Sequence, residues 1–354
     1  MVFSFRPTPQ GSVSGTRYLV LAEGKSGDSH FGKTARGVMR YAPEKVVALL
    51  DTERAGETEQ GWSIVGRVED GLRFEPNTAL VGVATQGGRF PPAWKDLLRA
   101  CVAQGLHVEN GLHEFLTNDP ELVELARRHN VELRDLRKPP PDLNVPTGEN
   151  LEVPGTIVLT VGSDCAIGKM TVALELTNEA RRRGEKAEFV PTGQTGIAIA
   201  GWGIAVDAVV SDFLAGAAER LVVEAHGRGG ELLFVEGQGS LLNPLYSGVT
   251  LGLFHGSAPH LLVLCHKSAQ RYIEDDERYP IPPLSELVDL HERTALLSRP
   301  ARVAGVALNT RGLDDAEAAA AVEAAEAETG LPATDPVRFG AGPLVEAVLA
   351  QVPA

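Results

Sequence analysis

Two α/β domains in tandem, a parallel sheet covered by helices followed by a P-loop NTPase-like parallel-sheet domain, are the architecture this sequence predicts. Three observations lead there. Short apolar runs alternate with amphipathic stretches through both halves of the chain, which is the pattern of parallel strands covered by helices. A proline run interrupts that alternation once. The second half then opens on an apolar strand, a glycine turn ending in Gly-Lys, and a helix.

In the first half, residues 17–22 (RYLVLA) read as a strand, and Gly32-Lys33-Thr34-Ala35-Arg36-Gly37-Val38 opens a helix. Strands follow at 45–50, 78–83 and 106–109, with helices at 93–104 and 120–129, and 131–136 is the last strand. Residues 138–146 (KPPPDLNVP) favour an extended chain without backbone donors, so the boundary is expected near residue 145, giving domains 1–145 and 146–354. In the second half, TIVLTV at 156–161 is a strand and 170–183 a helix. Further strands are expected at 186–190, 232–236, 261–265 and 302–308, and the Ala/Glu-rich stretch 315–329 is a helix.

Composition narrows the partners. In 354 residues, 47 acids against 33 Lys and Arg give a net charge of −14, which argues against a general nucleic-acid or anionic-membrane binder. The three cysteines, Cys101, Cys165 and Cys265, lack metal-ligand spacing, so neither a disulfide framework nor a structural zinc site is expected. The first twenty residues lack a basic-then-apolar leader, and no apolar run reaches the ~18 residues of a membrane span. A cytoplasmic protein acting on a small molecule is the expectation, and we expect a homo-oligomer.

The strongest motif is Gly162-Ser163-Asp164-Cys165-Ala166-Ile167-Gly168-Lys169-Met170-Thr171. Placed between strand and helix, its backbone N–H groups form an anion cradle, Lys169 adds a cation, and Gly168 allows close approach. Two features depart from the usual phosphate loop: five residues separate Gly162 from Gly168, and Met170 takes the Ser/Thr position, leaving Thr171 one residue late. The longer loop resembles that of dethiobiotin synthetase. Asp164 fits a functional carboxylate or a turn residue, and Cys165 fits a loop packer better than a nucleophile.

A second strand ends in Val235-Glu236-Gly237-Gln238-Gly239. An acid at such a strand end lies on the ligand side of an open parallel sheet, where Glu236 could hold magnesium together with Thr171 or act as a base. Main-chain N–H groups between Gly237 and Gly239 are candidate oxyanion donors. Gln194 and Thr195, in PTGQTG, and Gln238 are candidate substrate contacts. Asp212 is a third candidate carboxylate. Lys267 and Arg271 could pair with a substrate carboxylate. Asn309, after a strand, could read a purine. His255 suits a structural role better than acid–base work.

The stretches VGSDCAIGKMT, PTGQTGIAIAGWGIAVDAVVSDFLAGAAE, VEGQGSLLNPLYSGVTLGLFHGS and TDPVRFG together resemble the DgcN-like family, once described only as a domain of unknown function; KTARGVMRY, from Lys33, is similar to its first domain. The resemblance implies a Rossmann-like domain followed by a P-loop domain, and acetyl transfer from acetyl-CoA to the amine of a D-amino acid, chiefly D-glutamate. It also implies a place in D-amino-acid breakdown, often beside an enolase-superfamily epimerase. Under that reading residues 162–171 hold the pyrophosphate of coenzyme A, and Glu236, Asp164 and Asp212 are candidate bases. The alternatives are an ATP- and Mg-dependent ligase or kinase of the dethiobiotin synthetase type, with Thr171 and Glu236 at the metal, and a nucleotide-binding regulator without turnover.

Overall fold

A computed structural model describes residues 15–28, 32–91 and 93–352. Most of the segment on which the leader expectation rests, residues 1–14, lies outside the described residues. No described helix is long and apolar enough to cross a membrane. The chain forms two compact units, Met1–Lys138 with Gln194–Ala205, and Pro139–Gly193 with Val206–Ala354.

The first unit holds β1 (Tyr18–Leu21), α1 (Lys33–Tyr41), β2 (Val46–Leu50), β3 (Thr58–Glu59), β4 (Trp62–Val65), α2 (Val68–Gly71), β5 (Thr78–Val81), α3 (Trp94–Ala103), β6 (His107–Asn110), α4 (Pro120–His129) and β7 (Leu133–Asp135). Its sheet runs β3-β4-β2-β1-β5-β6-β7 and is parallel except for the β3–β4 pair. The order reverses at β1, the switch-point arrangement of a doubly wound sheet. Every residue of β1 is buried, which explains its unbroken apolar run. The β3–β4 hairpin escapes the sequence reading, because β3 has only two residues and β4 (WSIV) is buried only at Ile64 and Val65, without the unbroken apolar run of β1.

The second unit begins with β8 (Thr156–Gly162), α5 (Lys169–Arg182) and β9 (Ala187–Val190). The next helix, α6 (Gln194–Ala200), belongs to the first unit. There its carbonyls at Ala198 and Ile199 accept from Tyr18 Oη (3.4 Å) and Lys45 Nζ (2.7 Å). The second unit continues with α7 (Ser211–Gly227), β10 (Leu232–Val235), α8 (Ser247–Ser257), β11 (Leu261–Lys267), α9 (Leu284–Thr294), β12 (Arg302–Asn309), α10 (Asp315–Thr329), β13 (Ala333–Thr334) and α11 (Gly342–Leu349). Its sheet, β13-β12-β11-β8-β10-β9, is parallel throughout. Here too the central strand, β8, is buried at every residue.

Parallel pairing places all the strand exits of the second unit on one edge. The turns after β8, β9, β10, β11, β12 and β13 therefore line up as a row of candidate ligand groups. The segment around Asp212 is helical: Asp212 occupies the first turn of the seventeen-residue α7, where a carboxylate complements the helix dipole.

Candidate active site

The turn from β8 to α5 is shaped by its own polar groups. Gly162 sits where a Cβ would come within 2.6 Å of Ile167 Cδ1 and 3.0 Å of the Cys265 carbonyl oxygen, so the strand exit needs glycine. Gly168 precedes α5 at φ +114°, a region that L side chains rarely adopt, and Ala166 also lies at positive φ, +53°. The first N–H groups of α5 have no partner within the helix, and the first intrahelical bond reaches from Val172 to Gly168 O (2.9 Å). The result is a helix start with free N–H groups, of the kind that suits an anion.

Lys169 is only 5% exposed, and its Nζ donates to the Asp164 carbonyl at 2.6 Å. Burial pushes its pKa down, against the opposing pull of Cys265, Cys165, Asp164 and Glu236. A cation so placed loses most of its hydration, which one hydrogen bond and the nearby acids offset only in part, and so it gains from an anionic ligand.

Asp164 holds the loop together. Its Oδ1 accepts from Cys165 N (2.7 Å) and Asn243 Nδ2 (3.0 Å), and its Oδ2 from Gln270 Nε2 (2.6 Å) and Glu274 N (2.6 Å). With four donors on a side chain 1% exposed, the carboxylate is committed to the turn. Asn243 bridges further, to Glu274 Oε1 (3.1 Å) and Cys165 Sγ (3.5 Å). Among the described residues, the cluster that could converge on a cation is Asp164, Cys165 and Glu274, not one containing Glu236. Ser163 pairs with His266, Oγ to Nδ1 at 2.9 Å, and burial lowers the His266 pKa. Met170 and Thr171 lie in the first turn of α5, and both are half-buried.

Asn309 also has a structural task. Its Nδ2 donates to the Ile167 carbonyl (3.0 Å) and its Oδ1 accepts from Arg311 N (3.1 Å), so the amide clamps the loop from the exit of β12. Each polar end thus makes one hydrogen bond within the protein.

Glu236 follows β10 directly and is 4% exposed. Its Oε2 accepts from Thr192 N (2.9 Å) and Gly193 N (3.1 Å), at the exit of β9. Burial raises its pKa to about 7, outweighing the N–H bonds from Thr192 and Gly193; the charge of Asp207 adds to the rise and a bond from Gln238 opposes it. Glycine is required at 193, where a Cβ would lie 2.6 Å from Gln238 Nε2 and 3.2 Å from Glu236 Oε1. At Gly237 a Cβ would fall 1.7 Å from Thr160 O and 2.9 Å from Lys169 Cδ, so the lysine stem packs directly against the turn that carries Glu236. The Gly237 N–H donates to Thr160 Oγ1 (2.8 Å), which removes it from the candidate oxyanion donors.

The structure thus brings Lys169, Glu236 and Gln238 together at neighbouring strand exits. Gln238 Nε2 donates to Thr192 Oγ1 (3.2 Å). Lys267 and Arg271 follow on the β11 exit, half-buried and exposed respectively. Asp212 is exposed, and the acid whose charge reaches Glu236 is Asp207. Gln194 and Thr195 lie in the first unit, where Gln194 Oε1 accepts from Arg137 (2.8 Å) and Thr195 shares a hydrogen bond with Thr34 (2.9 Å). His255 is structural, its Nε2 3.0 Å from Thr294 O. Sequence reasoning missed Asn243, Gln270, Glu274 and His266. Only Asn243, before a proline in the loop after Gly239, carries a local sign of a fixed turn.

An all-parallel sheet with a glycine–lysine turn of the P-loop type after its central strand and an acid after the adjacent one defines a P-loop α/β protein, here joined to a Rossmann-like unit. The chain belongs to the DUF1611 family: residues 144–345 match its P-loop domain and residues 50–139 its Rossmann-like domain, both described as domains of unknown function. It is 35% identical, over 95% of its length and 99% of the relative's, to a D-glutamate N-acetyltransferase of Tritonibacter scottomollicae. A second protein of that name, from a Pseudoalteromonas species, is 35% identical over 78% of this chain and 82% of its own. A crystal structure of a DUF1611 family protein from Anabaena variabilis superposes with a TM-score of 0.88 at 39% identity, covering 95% of this chain and 99% of that one.

Proposed function

We propose that this protein is an N-acetyltransferase that moves the acetyl group of acetyl-CoA to the amine of D-glutamate, in D-amino-acid breakdown. The observation that carries the reading is Glu236: a buried carboxyl with a pKa of about 7, packed at the exit next to a phosphate-type turn whose lysine is also buried. Full-length similarity to two D-glutamate N-acetyltransferases supports the substrate.

In this reading the helix start at Gly168–Thr171 and Lys169 hold the pyrophosphate of coenzyme A. This needs anion donors but no phosphoryl transfer, so Met170 in the usual Ser/Thr position is tolerated. Glu236 in its carboxylate form takes a proton from the D-glutamate ammonium. The freed amine attacks the thioester carbonyl and a C–N bond forms; as the C–S bond breaks, the attacking nitrogen gives up its second proton, which the departing thiolate takes to leave as free coenzyme A, and the proton on Glu236 is released to solvent. A base with a pKa near 7 is half ionised at neutral pH, the best compromise between basicity and availability. Lys267 and Arg271 are the cations proposed to receive the substrate carboxylates, with Gln238 beside the base. Asp164 and Asn309 position the loop and do not take part in proton transfer.

The same reading has the protein act in the cytoplasm as a homo-oligomer, and the family resemblance adds an epimerase acting beside it. Incubation with acetyl-CoA and D-glutamate tests the function: the expected result is one free thiol per N-acetyl-D-glutamate, and no thiol release with any D-amino acid would overturn it.

A further inference from the structure

On the β12 side of the phosphate turn, hydrogen bonds run outward in an unbroken series. Asn309 clamps Ile167 O. The next residue, Thr310, gives its N–H (3.0 Å) and hydroxyl (2.6 Å) to Asp335 Oδ2 at the exit of β13. Asp335, 6% exposed, accepts from Val337 N (2.9 Å) and Arg338 N (3.1 Å) on Oδ1, and its carbonyl accepts from Phe339 N (2.8 Å). The turn 335–339 is therefore fixed to the same strand end that fixes the phosphate loop.

From this turn two large apolar side chains face solvent, Val337 at 48% and Phe339 at 47% exposure. The Arg338 guanidinium is instead engaged with Asp315 and the Leu313 carbonyl. Single exposed apolar residues are ordinary. A pair on a hydrogen-bonded turn, on the ligand edge of a parallel sheet and tied to an anion site, calls for an occupant. Asn309, the candidate purine reader, spends one hydrogen bond at each polar end on holding the loop.

We propose that Phe339, assisted by Val337, is the platform on which the adenine of coenzyme A stacks. This rests on the acetyl-CoA reading above. The order of groups along coenzyme A supports it: adenosine, diphosphate, pantetheine, thioester. The strand exits follow that order, with the Phe339 turn after β13, the phosphate turn after β8, and Glu236 after β10 on the other side of β8. Aromatic stacking reads the flat face common to purines and needs no hydrogen-bonding side chain.

Calorimetric binding of coenzyme A and of 4′-phosphopantetheine, which lacks the 3′-phosphoadenosine and one phosphate of the diphosphate, tests this with the unchanged protein, Phe339→Ala, Phe339→Trp and, at an alternative exposed aromatic just before α8 (46% exposed), Tyr246→Ala. Phe339→Ala is expected to weaken coenzyme A roughly tenfold, to leave 4′-phosphopantetheine within about twofold, and to be rescued by Phe339→Trp. Equal losses for both ligands, no loss for either, or a coenzyme A loss found only in Tyr246→Ala would overturn the proposal, as would failure of the unchanged protein to bind any adenosine ligand. If the unchanged protein binds ATP but not coenzyme A, the acetyl-transfer reading falls separately. The platform then stands only if Phe339→Ala weakens ATP to the same degree.

Discussion

Two buried acids, each just past a parallel strand, end in opposite electrostatic states. Asp51, after β2 in the first unit, is 1% exposed. Burial pushes its pKa up, but bonds from Ser26, Gly24 and Glu53 overcome that and hold it below the usual range. Its carboxylate receives N–H groups from Gly24 (3.1 Å), Ser26 (3.0 Å) and Glu53 (3.1 Å). Glu236, after β10, has two N–H bonds on one oxygen, and burial wins. The first acid fixes a turn; the second is left with proton affinity to use. The two glycine–lysine corners repeat the lesson. Lys33 at the start of α1 is exposed and Gly32 has φ −86°, whereas Lys169 is buried and Gly168 lies at φ +114°.

The largest expected effect is on Glu236. Glu236→Gln should lower kcat by roughly 10²–10⁴-fold in an acetyl-transfer assay while leaving coenzyme A affinity nearly unchanged. In the unchanged protein kcat/KM should fall below pH 7, as the carboxylate takes up its proton. Equal activity at pH 5.5 and pH 8 would remove Glu236 as the base.

Next comes Lys169→Ala, expected to weaken coenzyme A binding by roughly 10–100-fold, against less than about twofold for Lys33→Ala. Equal losses at the two lysines would erase the contrast between the corners.

Stability should show the two acids with opposite signs. Glu236 has a folded pKa raised above its unfolded value near 4.5, so its favourable contribution is full below about 4.5 and is lost as pH rises through about 7. Glu236→Gln should therefore gain stability relative to the unchanged protein between pH 5 and pH 8, by roughly 2–3 kcal/mol. Asp51, with its pKa lowered, contributes stability above its unfolded value near 3.8 that is lost as pH falls through the lower folded value. Asp51→Asn should then cost stability at neutral pH and lose that penalty in acid. Denaturant midpoints across pH read both.

The smallest effect belongs to Asp164→Asn. With one acceptor position replaced by a donor among four hydrogen bonds, it should loosen the phosphate turn and weaken coenzyme A by only about three- to tenfold, without shifting the pH profile of kcat/KM. A shift would return Asp164 to proton transfer.

Much of this was legible in the sequence because it is local. TIVLTV followed by a glycine turn and Gly-Lys specifies strand, anion cradle and helix within sixteen residues, and β8 and α5 lie within one residue of the expected bounds. Glu236 was legible for the same reason, as an acid that ends an apolar strand. What stayed hidden depends on contacts distant along the chain. Asp164 and Asn309 read as functional because their types are polar, yet their partners Asn243, Gln270, Glu274 and Ile167 appear only once the sheet is assembled. The excursion of residues 194–205 into the first unit left no mark in the sequence, since α6 is short, apolar and ordinary in composition.

The most direct test is a single assay that follows thiol release and the mass of the amino acid together, with acetyl-CoA and D-glutamate, for the unchanged protein and Glu236→Gln. Stoichiometric N-acetyl-D-glutamate and thiol, lost in the variant, is the predicted result. Undiminished turnover in Glu236→Gln, or no acetyl transfer while added ATP is converted to ADP, would contradict the account.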